Sequence, residues 1–233
     1  MSNMLYETFA NFIALTRQNW QNAWRNKAFR VALVTGVLLI IAASVSTDYF
    51  FRYIQHLKDG VTPDDWILKE LPAINVSIPI VILMTSAILL FQVRCAANPD
   101  MFLVLTWTLL FQLIFRIITI DVTRFNTPPE LIVLKDPVSS ILYHGGFITR
   151  DLFYSGHTAS MFVFFLCSRK KYDKYFMLFA TIGVGILLLV QHVHYTIDVV
   201  AAPFFAFACY RLAKKVILLQ NAYSSSIYLP LKD

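Results

Sequence analysis

Asp151-Leu152-Phe153-Tyr154-Ser155-Gly156-His157-Thr158 and His192-Val193-His194-Tyr195-Thr196-Ile197-Asp198-Val199 bracket the stretch that decides how this chain is read. Between them lie an apolar run to Ser168, the basic turn Arg169-Lys170-Lys171-Tyr172-Asp173-Lys174, and a second apolar run from Tyr175. Two apolar runs of membrane-crossing length joined by a basic turn form a membrane hairpin. Ionisable residues inside such segments are costly and usually functional. The hairpin returns His194 to the end at which His157 entered, and Asp198 opens the next apolar run.

Outward from the hairpin, the same pattern recurs. Spans are expected at about 28–45, 74–93 and 101–120, then 152–168, 175–193 and 197–218. The fold class is all-α, an integral membrane bundle of six transmembrane helices. The composition agrees: 58% of the 233 residues are hydrophobic and 15% charged, against about 25% charged in a soluble domain. Residues 4–24 set Leu5, Phe9, Phe12, Ile13, Trp20 and Trp24 near helical spacing among Asn, Gln and Arg. They read as an amphipathic helix, lying on the membrane surface or packed on the bundle. Three regions result: an amphipathic segment over 1–27, a catalytic membrane domain over 28–218 and a tail over 219–233. No short apolar stretch with a small-residue cleavage site precedes the first span, which is expected to be retained. Residues 47–73 and 121–150 read as loops. Cys95, Cys167 and Cys209 read as small buried hydrophobes.

Charge sets the expected orientation. With a cytoplasmic N-terminus and six alternating spans, Arg17, Arg25, Lys27, Arg30, Arg94, Arg169, Lys170, Lys171, Lys174, Arg211, Lys214, Lys215 and Lys232 face the cytoplasm. These are 13 of the 20 Lys and Arg, and the positive-inside rule selects this arrangement. Both termini are then cytoplasmic. His56, His144, His157, His192 and His194 fall at the exoplasmic side, which is periplasmic in a bacterium and lumenal or extracellular in a eukaryote. The net charge of +6 reflects topology. The basic residues sit at span ends without interleaved aromatics, so no nucleic-acid partner is expected.

The residue types suggest phosphoryl chemistry. His194 and Asp198, four apart, share a face if helical. A carboxylate there orients one ring nitrogen of His194 and leaves the other free as a nucleophile. His157, from another helix, supplies an acid or base. Ser155 and Gly156 at a helix start suit a phosphate. A metal site of His157, His194, Asp198 and His192 is the alternative, though no HExxH or cysteine ligand accompanies it; no metal or other cofactor is expected. His192 points away from His194 in a helix. Arg116, inside its span, is a phosphate clamp, a partner of Asp121 or a snorkelling side chain. Asp151 and the loop acids Asp64 and Asp65 could favour a cationic headgroup, and for the two loop acids the alternative is a solvated face.

Ser155-Gly156-His157-Thr158 followed by His194-Tyr195-Thr196-x-Asp198-Val199 resembles the sphingomyelin synthase family, a branch of the type-2 phosphatidic acid phosphatase superfamily. Asp151 fits that family's D-x-x-x-S-G-H-T, with Thr149-Arg150 in place of its Cys-Gly, and Arg116-Ile117-Ile118-Thr119 resembles its R-x-x-T. The resemblance implies that His194 takes the headgroup of a membrane phospholipid as a phosphohistidine. Asp198 then orients it and His157 handles the proton, while Ser155, Gly156, Asp151, Arg116 and Tyr195 line the substrate site. It implies a phosphocholine or phosphoethanolamine transferase, with ceramide, diacylglycerol or water as acceptor, or a non-catalytic lipid binder that kept the fold. The lipid phosphatases carry K-x6-R-P and an Arg six residues before the second histidine. Here that position is Leu188 and no R-P occurs, which argues against a plain phosphatidate phosphatase.

Overall fold

A computed structural model describes residues 2–57, 59–134 and 148–223. His144, Pro137 and the tail over 224–233 lie outside the described residues. The helices are α1 (Ser2–Arg25), α2 (Lys27–His56), α3 (Trp66–Glu70), α4 (Ser77–Ala97), α5 (Pro99–Thr123), α6 (Gly156–Cys167), α7 (Lys171–Val190) and α8 (Thr196–Tyr223). No strand occurs among the described residues, only a lone bridge between Val61 and Phe125. Five helices, α2, α4, α5, α7 and α8, are long and apolar enough to cross a membrane. The architecture is an all-α membrane bundle.

Three expectations change. The first span does not stop near Val45: α2 continues to His56, so Thr47 is a buried helical residue, not part of a loop. Asn26 starts this helix by accepting the Ala28 and Phe29 N–H groups, as an N-cap should. The last helix runs five residues past Leu218, to Tyr223. The fourth apolar segment is helical only over the 12 residues of α6, about 18 Å at 1.5 Å per residue. That is well short of a 30 Å hydrocarbon core. Leu152–Ser155 are irregular chain, because the side chains there are drawn into contacts with α5 and α8 described below.

α6 packs most closely on α7 and α8, and α5 on α2 and α8. Close approach is made by small residues, as is usual between membrane helices: a Cβ on Gly36 of α2 would stand 3.1 Å from Trp107 Nε1 of α5. Phe91 of α4 stacks on Phe164 of α6 with ring centroids 4.3 Å apart. At the end of the bundle where the chain begins, α1 docks rather than merely lying alongside. Asn19 Nδ2 donates to Ala97 O (2.9 Å) and Trp20 Nε1 to Ala96 O (2.7 Å), satisfying carbonyls left open where α4 ends. Phe9 and Ile13 on the same helix stay exposed, so of the two sequence readings the structure shows the packing on the bundle, at its C-terminal part.

At this end Arg94 of α4 binds Asp173 of α7 through Nε–Oδ2 (2.7 Å) and Nη2–Oδ1 (3.2 Å). Asp173 is buried, so the fork replaces its lost hydration. Arg94→Gln should destabilise the bundle by about 1–3 kcal/mol, as the loss of one partner of a partly buried pair does. The Arg94→Gln/Asp173→Asn double variant should recover most of that loss in detergent thermal denaturation. A double variant no more stable than the single one would show that the pair is not what holds α4 to α7.

Candidate active site

The opposite end of the bundle, where α5 ends, α6 begins and α7 turns into α8, gathers the histidines. Residues 191–195 form the turn. Gln191 anchors it: Oε1 accepts Val76 N–H (3.1 Å) and Nε2 donates to Ser77 Oγ (2.9 Å) and Ile132 O (3.2 Å). His192 adopts φ +55°, a left-handed conformation uncommon for a non-glycine residue. Its ring nitrogens lie 3.1 Å from Pro129 O and 3.0 Å from Leu71 O. It staples two loops to the turn; because the segment is a turn and not a helix, those contacts set its direction, and not its spacing from His194.

The turn presents His194 to Asp198. Asp198 has no solvent exposure. Its Oδ2 accepts from His194 Nδ1 (3.2 Å) and from the Tyr195 N–H (3.2 Å). The pair is therefore not made across a helical turn, as the four-residue spacing suggests. His194 precedes the helix, and Asp198 sits in the first turn of α8 and reaches back to the N-terminal amide, like the acidic member of a capping box. The outcome for geometry is the same: Nδ1 faces the carboxylate, and Nε2 makes no hydrogen bond among the described residues. The His157 ring stands 6.4 Å from the His194 ring between centroids, at 64°.

α6 is locked onto this pair. Ser155 Oγ caps the helix by accepting Thr158 N–H (3.4 Å), and the Ser155 N–H donates to Asp198 O (3.1 Å). His157 thus occupies the second helical position, where the partial positive charge of the helix start favours an anion. α5 grips the chain just before: Thr119 Oγ1 donates to Phe153 O (3.0 Å), and Arg116 is ion-paired with Asp151. The Arg116 guanidinium lies against Gly156, where an added Cβ would collide with it, and over the Phe51 ring at 6.0 Å. Both members of the ion pair are largely buried. Asp121 pairs instead with Arg124 (3.1 Å). Arg116 is thus directed into the bundle and carries a structural partner, Asp151 in place of the expected Asp121.

Tyr195 and Asp65 support the site from outside it. The Tyr195 hydroxyl donates to Asn126 O (3.0 Å). Burial, then the charges of Asp198 and Asp65, push that hydroxyl up to about 12, so it remains a donor at physiological pH. Asp65 is not merely solvated: it accepts the Thr196 N–H (2.6 Å), the Thr196 hydroxyl (3.0 Å) and the Leu68 N–H (3.1 Å). It caps α3 and also α8. Partial burial works to raise the Asp65 carboxyl, but the bonds from Thr196, Leu68 and Ile67 outweigh it and hold the group below its ordinary value. The sequence signal was an Asp just before Trp66-Ile67-Leu68, the usual N-cap arrangement. The contact with Thr196 has no local signal.

Residues 150–215 match the family described as PAP2 superfamily C-terminal. The match covers α6, α7, most of α8 and both histidines, with Arg116 outside it. It supports a relationship to the type-2 phosphatidic acid phosphatase superfamily and, in general terms, phosphatase or phosphotransferase activity. No curated protein and no solved structure matches the chain. Against the PAP2 pattern, the position six before His194 holds Leu188, fully buried; Arg116 of α5 lies next to Gly156, paired with Asp151.

Two outcomes follow from the site's construction. Gly156→Ala should displace the Arg116 guanidinium and lower any phosphate-ester turnover by about 10²-fold, the scale of a misplacement of about 1 Å, without unfolding the bundle; activity within twofold of wild type would contradict this placement. Asp65→Ala should cost about 1–2 kcal/mol through the lost caps, and Asp65→Asn less. Because the folded carboxyl is held low, its contribution is complete above the ordinary aspartate value and is lost as pH falls through the folded one. The stability gap between wild type and Asp65→Ala should therefore narrow below about pH 4. A gap unchanged from pH 7 to pH 3 would contradict the ionic cap.

Proposed function

We propose that the chain transfers a phospholipid headgroup, phosphocholine or phosphoethanolamine, to a lipid alcohol such as ceramide or diacylglycerol, in the manner of the sphingomyelin synthases. One observation carries the reading: His194 is held at Nδ1 by buried Asp198, with the His157 ring 6.4 Å away. A binding protein has no need of a histidine with a fixed tautomer and a second imidazole beside it. His194 Nε2 attacks the donor phosphorus, and the bond from phosphorus to the diacylglycerol oxygen breaks. His157 gives that oxygen its proton. The acceptor hydroxyl then loses its proton to His157 as its oxygen attacks phosphorus, and the phosphorus–nitrogen bond breaks, freeing His194. Arg116 and the amides at the start of α6 stabilise the phosphate oxygens, and the Ser155 hydroxyl proton is available to another. Asp151 holds Arg116 in place, and Tyr195 holds the turn.

The site belongs on the exoplasmic side with both termini cytoplasmic. The charge distribution supports this, and so does the cluster of Arg169, Lys170, Lys171 and Lys174 at the α6–α7 turn, at the end opposite the histidines. Tyr172 in that turn is 86% exposed, whereas Cys95, Cys167 and Cys209 are buried. In intact cells a membrane-impermeant thiol reagent should leave Tyr172→Cys unlabelled until the membrane is opened. Labelling from outside would reverse the orientation.

Activity is tested by lipid mass spectrometry on the purified protein with phosphatidylcholine or phosphatidylethanolamine, with and without ceramide. Acceptor-dependent formation of the headgroup-bearing product is the expected result, with ping-pong kinetics. Asp198→Asn should lower turnover by orders of magnitude and His157→Ala by about 10²–10⁴-fold. Release of free phosphorylated headgroup without a lipid product would make water the acceptor and the protein a hydrolase.

A further inference from the structure

Gln112 lies midway along α5 with 5% of its surface exposed. Its Nε2 is buried, with no hydrogen-bond partner among the described residues. Buried amides are nearly always paired, because removing their hydration without replacement is costly. Other polar side chains on this helix are used: Thr108 donates to Val104 O (2.7 Å) and Thr119 to Phe153 O (3.0 Å). Gln112 precedes Arg116 by four residues and Thr119 by seven, so all three share one face. That face meets the 151–156 segment: Arg116 pairs with Asp151, Thr119 binds Phe153, and the Tyr154 hydroxyl lies 3.5 Å from Gln112 O. The amide therefore sits one helical turn, about 5.4 Å, deeper in the bundle than the guanidinium beside Gly156.

A glycerophospholipid presents its groups in that order. Inward from the choline or ethanolamine comes the phosphate, and the acyl ester carbonyls follow across the glycerol, a span comparable to one helical turn. An ester carbonyl is an acceptor without a donor, and so complements an amide N–H that has no acceptor. We propose that Gln112 donates a hydrogen bond to an acyl carbonyl of the phospholipid donor whose phosphate lies between Arg116 and the histidines, making Gln112 a specificity residue for acylated lipid. The inference rests on the headgroup-transfer reading for the place of the phosphate.

The test uses the full chain in detergent, with diacyl phosphatidylcholine and its dialkyl ether analogue of equal chain length as probes. The ether lipid keeps the phosphate and lacks the carbonyls. Wild type should bind the ester lipid roughly five-fold more tightly, the worth of one neutral hydrogen bond. Gln112→Leu should bring the ester lipid to the ether lipid's affinity and leave the latter unchanged; Gln112→Met serves the same purpose if the leucine variant misfolds. Equal binding of both lipids by wild type, or an ester preference that survives either substitution, overturns the proposal; the second result is what a buried water on Gln112 would give. Headgroup turnover is measured in parallel. A Gln112-dependent ester preference without turnover of either lipid upholds this inference and defeats the transferase reading, and turnover without that preference does the reverse.

Discussion

The carboxylate of Asp198 is the constraint on which the site depends. It has no solvent exposure, and a buried charge persists only where hydrogen bonds replace water. Its Oδ2 takes two, from His194 Nδ1 and Tyr195 N–H, while Oδ1 is buried without a partner among the described residues; its main-chain oxygen takes the Ser155 N–H that starts α6. One residue thus begins α8, fixes the tautomer of one histidine and positions the helix bearing the other. The outer shell repeats the logic. Asp65 receives Thr196, Gln191 receives Val76, and His192 spans two carbonyls, so the turn and the first residue of α8 are tied to three separate segments.

The short α6 gives the site its depth. Irregular backbone inside a bilayer is tolerated only where protein buries and satisfies it. Here Thr119 binds the Phe153 carbonyl, Asp198 O binds the Ser155 amide, and Tyr154 stacks on Phe205 of α8 with centroids 4.5 Å apart. A full-length helix would carry its N-terminus to the membrane surface. A helix of about 18 Å starts its N–H groups and His157 within the bundle, next to Arg116 of α5, and on the proposed reading a phosphate there, shed of water, interacts more strongly with fixed donors.

Much of this was legible in the sequence for a simple reason: membrane spans are long apolar runs, and a polar residue inside one stands out. His157, His194 and Asp198 meet as the returning hairpin requires, and Arg116 points inward to its partner Asp151. What escaped was non-local or irregular. The start of α6 was misplaced because Leu152-Phe153-Tyr154 are as apolar as a helix interior, and only their contacts with α5 and α8 break the run. Asp65 read as solvated because its partner Thr196 is 131 residues away. The His194–Asp198 pair was anticipated for a helical reason and arises from a cap, since a spacing of four serves both.

The central claim is that His194 carries the phosphoryl group between donor and acceptor. The direct measurement incubates the purified protein with a donor labelled at the headgroup phosphate and no acceptor, quenches in alkali to preserve an acid-labile phosphoramidate, and maps the label by peptide mass spectrometry. The account predicts label on His194, discharged by ceramide, diacylglycerol or water, and absent in His194→Ala. Label on any other residue, or acceptor-dependent transfer with a strictly sequential rate law and no trapped adduct, would contradict it.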